Sequence, residues 1–156
     1  MPVQKELSGQ RRGKIGEVIA IKKLIELGFD VYDNIVDDRG IDLIVRLESK
    51  DKISHKDIQV KHSKFYPAHN YYWFGISRQS FKAHKELYFM FILDEHRVFL
   101  IPSIVMKILI KDMWTDKKGN WKIVIQQKEN WEMLRRKGVG GFNIEKYLNN
   151  FSQLGL

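Results

Sequence analysis

The stretch of sequence that decides the fold reads GIDLIVRL at residues 40–47 and, after a polar gap, DIQVKHS at residues 57–63. Both segments have the β-branched, alternating character of strands. Alternate residues of a strand share a face, so Gln59 and Lys61 lie on one face of the second strand. If the two strands pair as a hairpin, the carboxylate of Asp42 joins them beside an otherwise apolar sheet. Polar groups concentrated in such a place need a chemical reason.

These residues resemble the core motif of the PD-(D/E)xK nuclease superfamily. That motif is an Asp on one strand, followed on the next by an acidic residue or Gln, any residue, and Lys; here Asp42, Gln59 and Lys61 fill those places. Upstream, GKIGE at residues 13–17 opens a predicted helix. It is similar to the Gly-rich, Glu-bearing first helix of archaeal Holliday-junction resolvases and modification-dependent restriction nucleases, with Glu17 in the place of the Glu. The resemblance covers roughly the first half of the chain and matches in element order as well as in residues.

The resemblance implies an α/β, restriction-endonuclease-like fold with a central mixed β-sheet flanked by helices. It implies a metal-dependent DNA endonuclease with Glu17, Asp42, Gln59 and Lys61 as the catalytic residues. Asp42 would be the central ligand of Mg²⁺ or Mn²⁺, the backbone carbonyl of Val60 a further ligand, and Glu17 a ligand directly or through water. Lys61 would orient the attacking water and offset phosphate charge. Such hard cations prefer oxygen ligands and assist phosphodiester hydrolysis.

Gln59 departs from the commoner pattern, which has Glu or Asp at this place. Gln keeps an oxygen acceptor but removes one negative charge, so we expect weaker metal binding. Some branches of the superfamily, including modification-dependent restriction enzymes, carry Gln here. Two alternatives therefore stay open beside the endonuclease: a Holliday-junction resolvase, and a non-catalytic DNA-binding module that retains the nuclease fold.

Each candidate residue also has an ordinary structural explanation when it is taken alone. Asp42 could cap the turn that precedes its strand, and Lys61 could be an exposed residue of an edge strand. Glu17 could lie at the margin of an amphipathic helix. Taken together, the residues reproduce the order, element type and facing of one known site, and this combination favours the functional interpretation.

Length and composition indicate one domain over residues 1–156. The 27 Lys and Arg against 19 Asp and Glu give a net charge of +8, which suits a polyanionic partner, and Lys14 and Lys64 are the candidate nucleic-acid contacts. The absence of cysteine excludes disulfides and thiolate zinc sites. Residues 1–10 lack an apolar signal core and no apolar run reaches membrane-spanning length, so we expect a cytoplasmic protein without a membrane partner.

The remaining pattern predicts the order of elements around the candidate site. A first helix is expected over residues 9–27, with Ser8 as its N-cap and Gly28 as its stop. His62 should point away from Lys61 and have a solvent-facing or packing role rather than ligate a metal. The predicted strands cover residues 29–36, 41–47, 57–63, 88–93, 97–101 and 121–126, with a turn at 37–40 and a loop at 48–56. Further helices are predicted over residues 78–86, 102–112, 131–137 and 144–151.

A homodimer is expected because cutting two strands requires two sites and a domain of this size holds one. The helix predicted over residues 102–112 is the candidate interface, since its apolar residues cover more of its circumference than one core contact needs. Burial of that helix against a sheet is an equally good explanation. The residues concerned are Ile104, Val105, Ile108, Leu109 and Ile110.

Overall fold

The fold, in a computed structural model, is described for residues 6–34 and 40–155. The predicted end of the first strand at residue 36 and most of the predicted turn at 37–40 lie outside these ranges. The helices are α1 (Gly9–Glu26) and α2 (Ser103–Leu109), and a 3-10 turn (Ile110–Asp112) continues α2. The strands are β1 (Asp30–Asp33), β2 (Leu43–Ser49), β3 (Lys52–His62), β4 (Phe65–Tyr66), β5 (Tyr71–Ile76), β6 (Leu87–Ile92), β7 (Val98–Pro102), β8 (Trp114–Thr115), β9 (Trp121–Gln127), β10 (Trp131–Met133) and β11 (Phe142–Asn143).

Helix α1 begins and ends where its sequence signals predict. The hydroxyl of Ser8 accepts a hydrogen bond from the backbone N–H of Arg11, which satisfies one of the free donors at the helix start. Gly28 has a φ of +90°, the left-handed conformation in which helices commonly end. Gly16, Ala20 and Leu24 are buried and form the face of the helix that packs on the sheet. The capping signals in the sequence and the buried face in the structure therefore define the same helix.

The central sheet is mixed, as predicted, and has the strand order β1-β2-β3-β6-β7. Strands β2 and β3 form the expected antiparallel hairpin, with Leu43 paired with Ile58 and Ser49 paired with Lys52. Strands β3 and β6 run parallel, whereas β6 and β7 form the predicted antiparallel hairpin. The parallel pair places the carboxyl half of β3 in the interior of the sheet.

A second sheet covers the face of the central sheet that lies opposite α1. Its strand order is β11-β10-β9-β5-β4, with β8 also paired to β9, and all its pairings are antiparallel. Two apolar clusters result. Ala20, Leu24, Leu43 and Ile58 belong to the cluster under α1. The cluster between the sheets is rich in aromatic rings and includes Phe74, Phe89, Phe91, Phe99 and Trp131.

Three predicted helices are wrong. Residues 78–86 form turns, because Phe81 is the one large apolar residue in that segment and a helix of nine residues needs an apolar stripe to be stable. At residues 131–137 the alternation of buried Trp131 and Met133 around Glu132 forms β10 instead. Residues 144–151 contain only short 3-10 turns, at Glu145–Tyr147 and from Phe151 onwards.

The loop predicted over residues 48–56 is also wrong, because β2 and β3 pair as far as Ser49 and Lys52 and leave only two residues for the turn. Its polar residues are solvent-exposed strand residues, held in place by backbone hydrogen bonds. The hairpin is therefore longer than the hydrophobic pattern indicates. Its turn lies at the end of β3 farthest from Gln59.

Candidate functional site

Asp42 lies directly before β2, where the backbone is held from two sides. Its N–H donates to the carbonyl of Ile58 at 2.9 Å, and its own carbonyl accepts from the N–H of Asn34 at 3.1 Å. One carboxylate oxygen, Oδ2, accepts a hydrogen bond from the backbone N–H of Val60 at 2.6 Å. The carboxylate is thus fixed against the backbone of Val60, the residue between Gln59 and Lys61.

Strand β3 presents these three residues in alternating directions. In the parallel pairing with β6, the N–H groups of Asp57 and Ser63 donate to β6, so the odd-numbered backbone groups face that strand. The N–H and carbonyl of Val60 therefore face the Asp42 side. Gln59 is buried to 7% exposure and Lys61 is partly buried, and both side chains lie on the face turned away from α1. The predicted hairpin geometry of Asp42, Gln59 and Lys61 is present.

Helix α1 approaches β3 through Gly16. A Cβ atom at Gly16 would lie 2.6 Å from the Cβ of His62, so only glycine permits this contact. The ring nitrogen Nδ1 of His62 lies 2.9 Å from the carbonyl oxygen of Arg12, which adds a polar contact between helix and strand. His62 therefore points to α1 and away from Lys61, as expected for a packing residue. The contact also fixes Glu17, the next residue of the helix.

Glu17 shares its surroundings with two other carboxylates. Its Oε2 lies 3.0 Å from the ammonium of Lys14, and its side chain is 27% exposed. The pKa of Lys14 is raised, first by the hydrogen bond with Glu17 and then by the charges of Glu17, Asp33 and Asp42. Asp33 pairs with Leu43 across β1 and β2 and so lies on the α1 face of the sheet. Sequence reasoning missed Asp33, although an acidic residue at the end of the strand preceding the Asp42 strand was a usable signal.

The donors near Asp42 fit a hard divalent cation by their chemistry. The Asp42 carboxylate and the Val60 carbonyl are oxygen groups on the same side of β3. The charges of Glu17 and Asp42 both act on Lys14. Within residues 6–34 and 40–155, no three His, Asp or Glu side chains are close enough together to hold a metal by themselves. Mg²⁺ is commonly held by one or two carboxylates, with water completing its shell. This donor set therefore suits Mg²⁺ or Mn²⁺ better than a metal that needs a closed cage of side chains.

A cleft of about 510 Å³ opens beside Gln59. Gly40 forms part of its rim with a φ of +69°, and a Cβ there would lie 3.3 Å from the Gln59 amide nitrogen. The opposite wall is the irregular segment 77–86, for which the sequence predicts a helix. The wall residues Gln79, Ser80, Lys82 and His84 are polar. Sequence reasoning did not predict this cleft.

The two predicted nucleic-acid contacts both lie next to carboxylates. Lys14 pairs with Glu17, as described above. Lys64 forms an ion pair with Glu6, and its ammonium lies 5.1 Å from the centre of the Tyr66 ring. Solvent-exposed pairs of this kind contribute little to stability, so a phosphate can displace the carboxylate partner at little cost.

Helix α2 is half buried and half exposed. Met106 and Leu109 pack in the cluster between the sheets, which accounts for part of its apolar surface. Ile104 and Ile108 lie one turn apart and are 47% and 64% exposed. The helix thus contacts the core and also leaves an apolar strip uncovered.

Among the described residues, no helix is long and apolar enough to cross a membrane.

Comparison with known proteins gives a likeness of fold. No protein-family model matches the chain, and no curated protein matches its sequence. Among solved structures, the fold is similar to that of a bacterial homing endonuclease, with a TM-score of 0.61 and 16% sequence identity. The similarity covers 92% of this chain and 88% of that chain. The chain therefore has a mixed α/β fold like that of a nuclease.

Proposed function

We propose that this protein is a metal-dependent endonuclease that hydrolyses phosphodiester bonds in DNA. The observation that carries the proposal is the 2.6 Å hydrogen bond from the Val60 N–H to Asp42 Oδ2, which fixes a carboxylate on the strand segment that carries Gln59 and Lys61. The sequence resemblance to the PD-(D/E)xK superfamily rests on these same residues. The similar fold of a bacterial homing endonuclease supports the same activity.

Each residue has a distinct task in this proposal. Asp42, the Val60 carbonyl and Glu17 would hold Mg²⁺ or Mn²⁺, and Asp33 adds negative charge to the same place. When bound, the ion supplies Lewis-acid stabilisation of charge on the phosphate. Lys61 would orient the attacking water and offset charge on the phosphate. A cation held by Glu17 would compete with Lys14 for this carboxylate, and the ammonium of Lys14 would then be available to the DNA backbone.

The net charge of +8 supports DNA as the partner. Non-specific affinity should therefore fall with salt concentration, as basic residues displace counterions from the phosphates. A cytoplasmic location is part of the proposal, because intracellular DNA is the substrate in view.

The test compares two variants with two matched controls. Asp42→Asn keeps an oxygen that can accept from the Val60 N–H and removes the charge, so we expect the fold to be retained and Mg²⁺ binding and cleavage to be lost together. Lys61→Ala should abolish cleavage and leave Mg²⁺ binding intact. Asp51→Asn and Lys52→Ala, both exposed at the hairpin turn, make the same chemical changes away from the site.

Cleavage of supercoiled plasmid is measured with Mg²⁺ and with EDTA, and metal binding by calorimetry. A loss of about 10²-fold or more is expected for both site variants, since charge stabilisation and positioning contribute at this level. Cleavage at the wild-type rate by purified, folded Asp42→Asn would refute the assignment.

Two alternatives lead to different results. A Holliday-junction resolvase would cut four-way junctions in preference to linear duplex, so both substrates are compared at equal protein concentration. A non-catalytic DNA-binding module is favoured by Gln59, which supplies an amide where the motif commonly has a carboxylate. In that case wild type binds DNA without cutting it, and Gln59→Glu gains metal-dependent cleavage.

We also propose that the protein acts as a homodimer through α2. Ile104 and Ile108 form an exposed apolar strip on this helix, while its other apolar residues are in the core. A second copy of the strip is a suitable partner, because a two-fold axis pairs identical surfaces. The two sites of the dimer would then serve the two strands of DNA.

A further inference from the structure

The cleft beside Gln59 has the character of a ligand site. Gln59 forms its inner surface and is 93% buried, since its exposure is 7%. Within the described part of the chain, the Gln59 amide makes no hydrogen bond with any side chain or backbone group. Among the described residues, no buried side-chain nitrogen or oxygen lacks a hydrogen-bond partner, so the amide end of this largely buried residue reaches the solvent of the cleft, where water or a ligand can satisfy it. The amide is therefore ready to bind a group that enters the cleft.

The outer wall of the cleft is irregular in conformation but firmly anchored. Phe81 stacks on Phe89, with ring centres 5.7 Å apart, and so ties the segment to the core. The buried hydroxyl of Ser103 donates to the His84 carbonyl at 2.7 Å and accepts from the His84 N–H at 2.9 Å. Arg78 adds a third anchor, because its N–H donates to the side chain of Asn120 at 3.1 Å. The wall is therefore formed before any ligand binds, which reduces the entropy lost on binding.

The polar groups of the cleft match the parts of a nucleotide. Lys82 is exposed and forms no ion pair within residues 6–34 and 40–155, so its charge is available to a phosphate. The Nδ1 of His84 accepts from the N–H of Glu86 at 3.1 Å, which leaves Nε2 as the donor of the neutral ring. The amides of Gln59 and Gln79 can each donate and accept, and the carboxylate of Asp57 can accept from an exocyclic amino group. The cleft therefore contains groups that can bind a phosphate and groups that can hydrogen-bond with the edge of a base.

We propose that this cleft binds one nucleotide of the DNA strand next to the phosphodiester that is cut, with Lys82 and His84 on its phosphate and Gln59 and Gln79 on its base. The inference rests on the proposed function, because only a substrate strand lying across Asp42 and Lys61 would bring a neighbouring nucleotide into the cleft. The amide and carboxylate contacts make the cleft a source of sequence preference.

The first experiment measures the affinity of metal-free protein for a fluorescein-labelled duplex between 50 and 200 mM salt. Lys82→Ala removes a phosphate contact, so the slope of log K against log salt should become less steep by about 0.9 per protomer. Gln79→Ala should weaken binding about tenfold for preferred sequences and leave the slope unchanged. Lys50→Ala removes the same charge from the distant β2-β3 turn and serves as the control. Equal affinities and slopes for all three variants would overturn the inference.

The second experiment needs no variant. A duplex substituted with 5-iododeoxyuridine is irradiated in complex with metal-free wild type, and the crosslinked peptides are identified by mass spectrometry. Crosslinks within residues 79–84 are expected, and crosslinks confined to other segments would contradict the cleft assignment.

The two proposals fail in different ways. Mg²⁺-dependent cleavage with no effect of Lys82 or Gln79 and no crosslink in the cleft would leave the endonuclease proposal standing and overturn the cleft inference. Crosslinks in the cleft without any cleavage would leave nucleotide binding by the cleft standing, but would overturn the endonuclease proposal and the position of that nucleotide next to a cut. Absence of DNA binding by wild type would overturn both.

Discussion

The close contact between Gly16 and His62 predicts how Gly16→Ala changes the free energy of unfolding. In Gly16→Ala the new Cβ would lie 2.6 Å from the Cβ of His62, whereas carbon atoms in contact are about 3.5–4.0 Å apart. Both atoms are attached directly to the backbone, so no change of rotamer relieves the clash. Helix α1 and strand β3 must therefore move apart by about 1 Å, and overpacking of this kind costs about 1–3 kcal/mol.

Gly13 provides the matched control, because it lies on the same helix and a Cβ there meets nothing within 4 Å. Alanine is about 1 kcal/mol better than glycine inside a helix, and this gain applies to both substitutions. Gly13→Ala should therefore raise the free energy of unfolding by about 1 kcal/mol, while Gly16→Ala should lower it by about 0–2 kcal/mol. The difference between the variants isolates the overpacking cost.

The assay is urea denaturation followed by far-UV circular dichroism, with equal m-values required for the comparison. Cleavage is measured in parallel, since separation of α1 from β3 moves Glu17 away from Asp42. Equal stabilisation by both alanines would refute the close approach of α1 to β3. Full cleavage by a destabilised Gly16→Ala variant would refute a role for the position of Glu17.

Three further predictions concern the metal, the interface and pH. Lys14→Met removes the ammonium that pairs with Glu17, so Mg²⁺ should bind more tightly by calorimetry; weaker binding would show that Lys14 does not compete with the cation. Ile108→Glu should convert a dimer to a monomer in light scattering at micromolar concentration, with Lys107→Glu as the exposed control on the same helix, and a folded Ile108→Glu dimer would move the interface elsewhere. Burial raises the pKa of Asp94, but hydrogen bonds from the Arg97 side chain and from the N–H groups of His96 and Arg97 outweigh it, so the pKa lies below its ordinary 3.8. The lowered pKa stabilises the folded protein at pH values above the pKa of Asp94 in the unfolded chain, and this stabilisation is lost as the pH falls through the pKa of Asp94 in the folded protein. Below about pH 4, acid should therefore lower the melting temperature of wild type more than that of Asp94→Asn. Parallel pH profiles of the two proteins would contradict this.

The residues near the site were predictable because local and tertiary signals agree there. Ser8, Gly16 and Gly28 define α1, and the alternation in residues 40–47 and 57–63 defines the hairpin that carries Asp42, Gln59 and Lys61. The expected hairpin and mixed sheet follow from these patterns. The catalytic and metal-binding roles of Glu17, Asp42, Gln59 and Lys61, the single-domain assignment and the homodimer stay predictions.

The second half of the chain was harder to predict because tertiary contacts decide its structure. Phe81 belongs to a non-helical segment that is fixed by Ser103, a residue far away in sequence. Trp131 and Met133 form a strand because β9 is beside them, although three residues carry too little periodicity to separate strand from helix. The cleft is formed by both halves of the chain, so its wall could not be inferred from any one segment.

The parallel pairing of β3 with β6 has a consequence for the nascent chain. All the proposed catalytic groups lie within residues 17–61, and they emerge from the ribosome before the strand that supports β3 does. Until residue 92 emerges, one edge of β3 has no partner, and the backbone that holds Asp42 is not fixed. The chain must also close the long connection between these strands before the ladder can form, a slow step for non-local pairing. Under the proposed function, a half-made chain with the complete motif is therefore expected to be inactive until β6 has paired with β3.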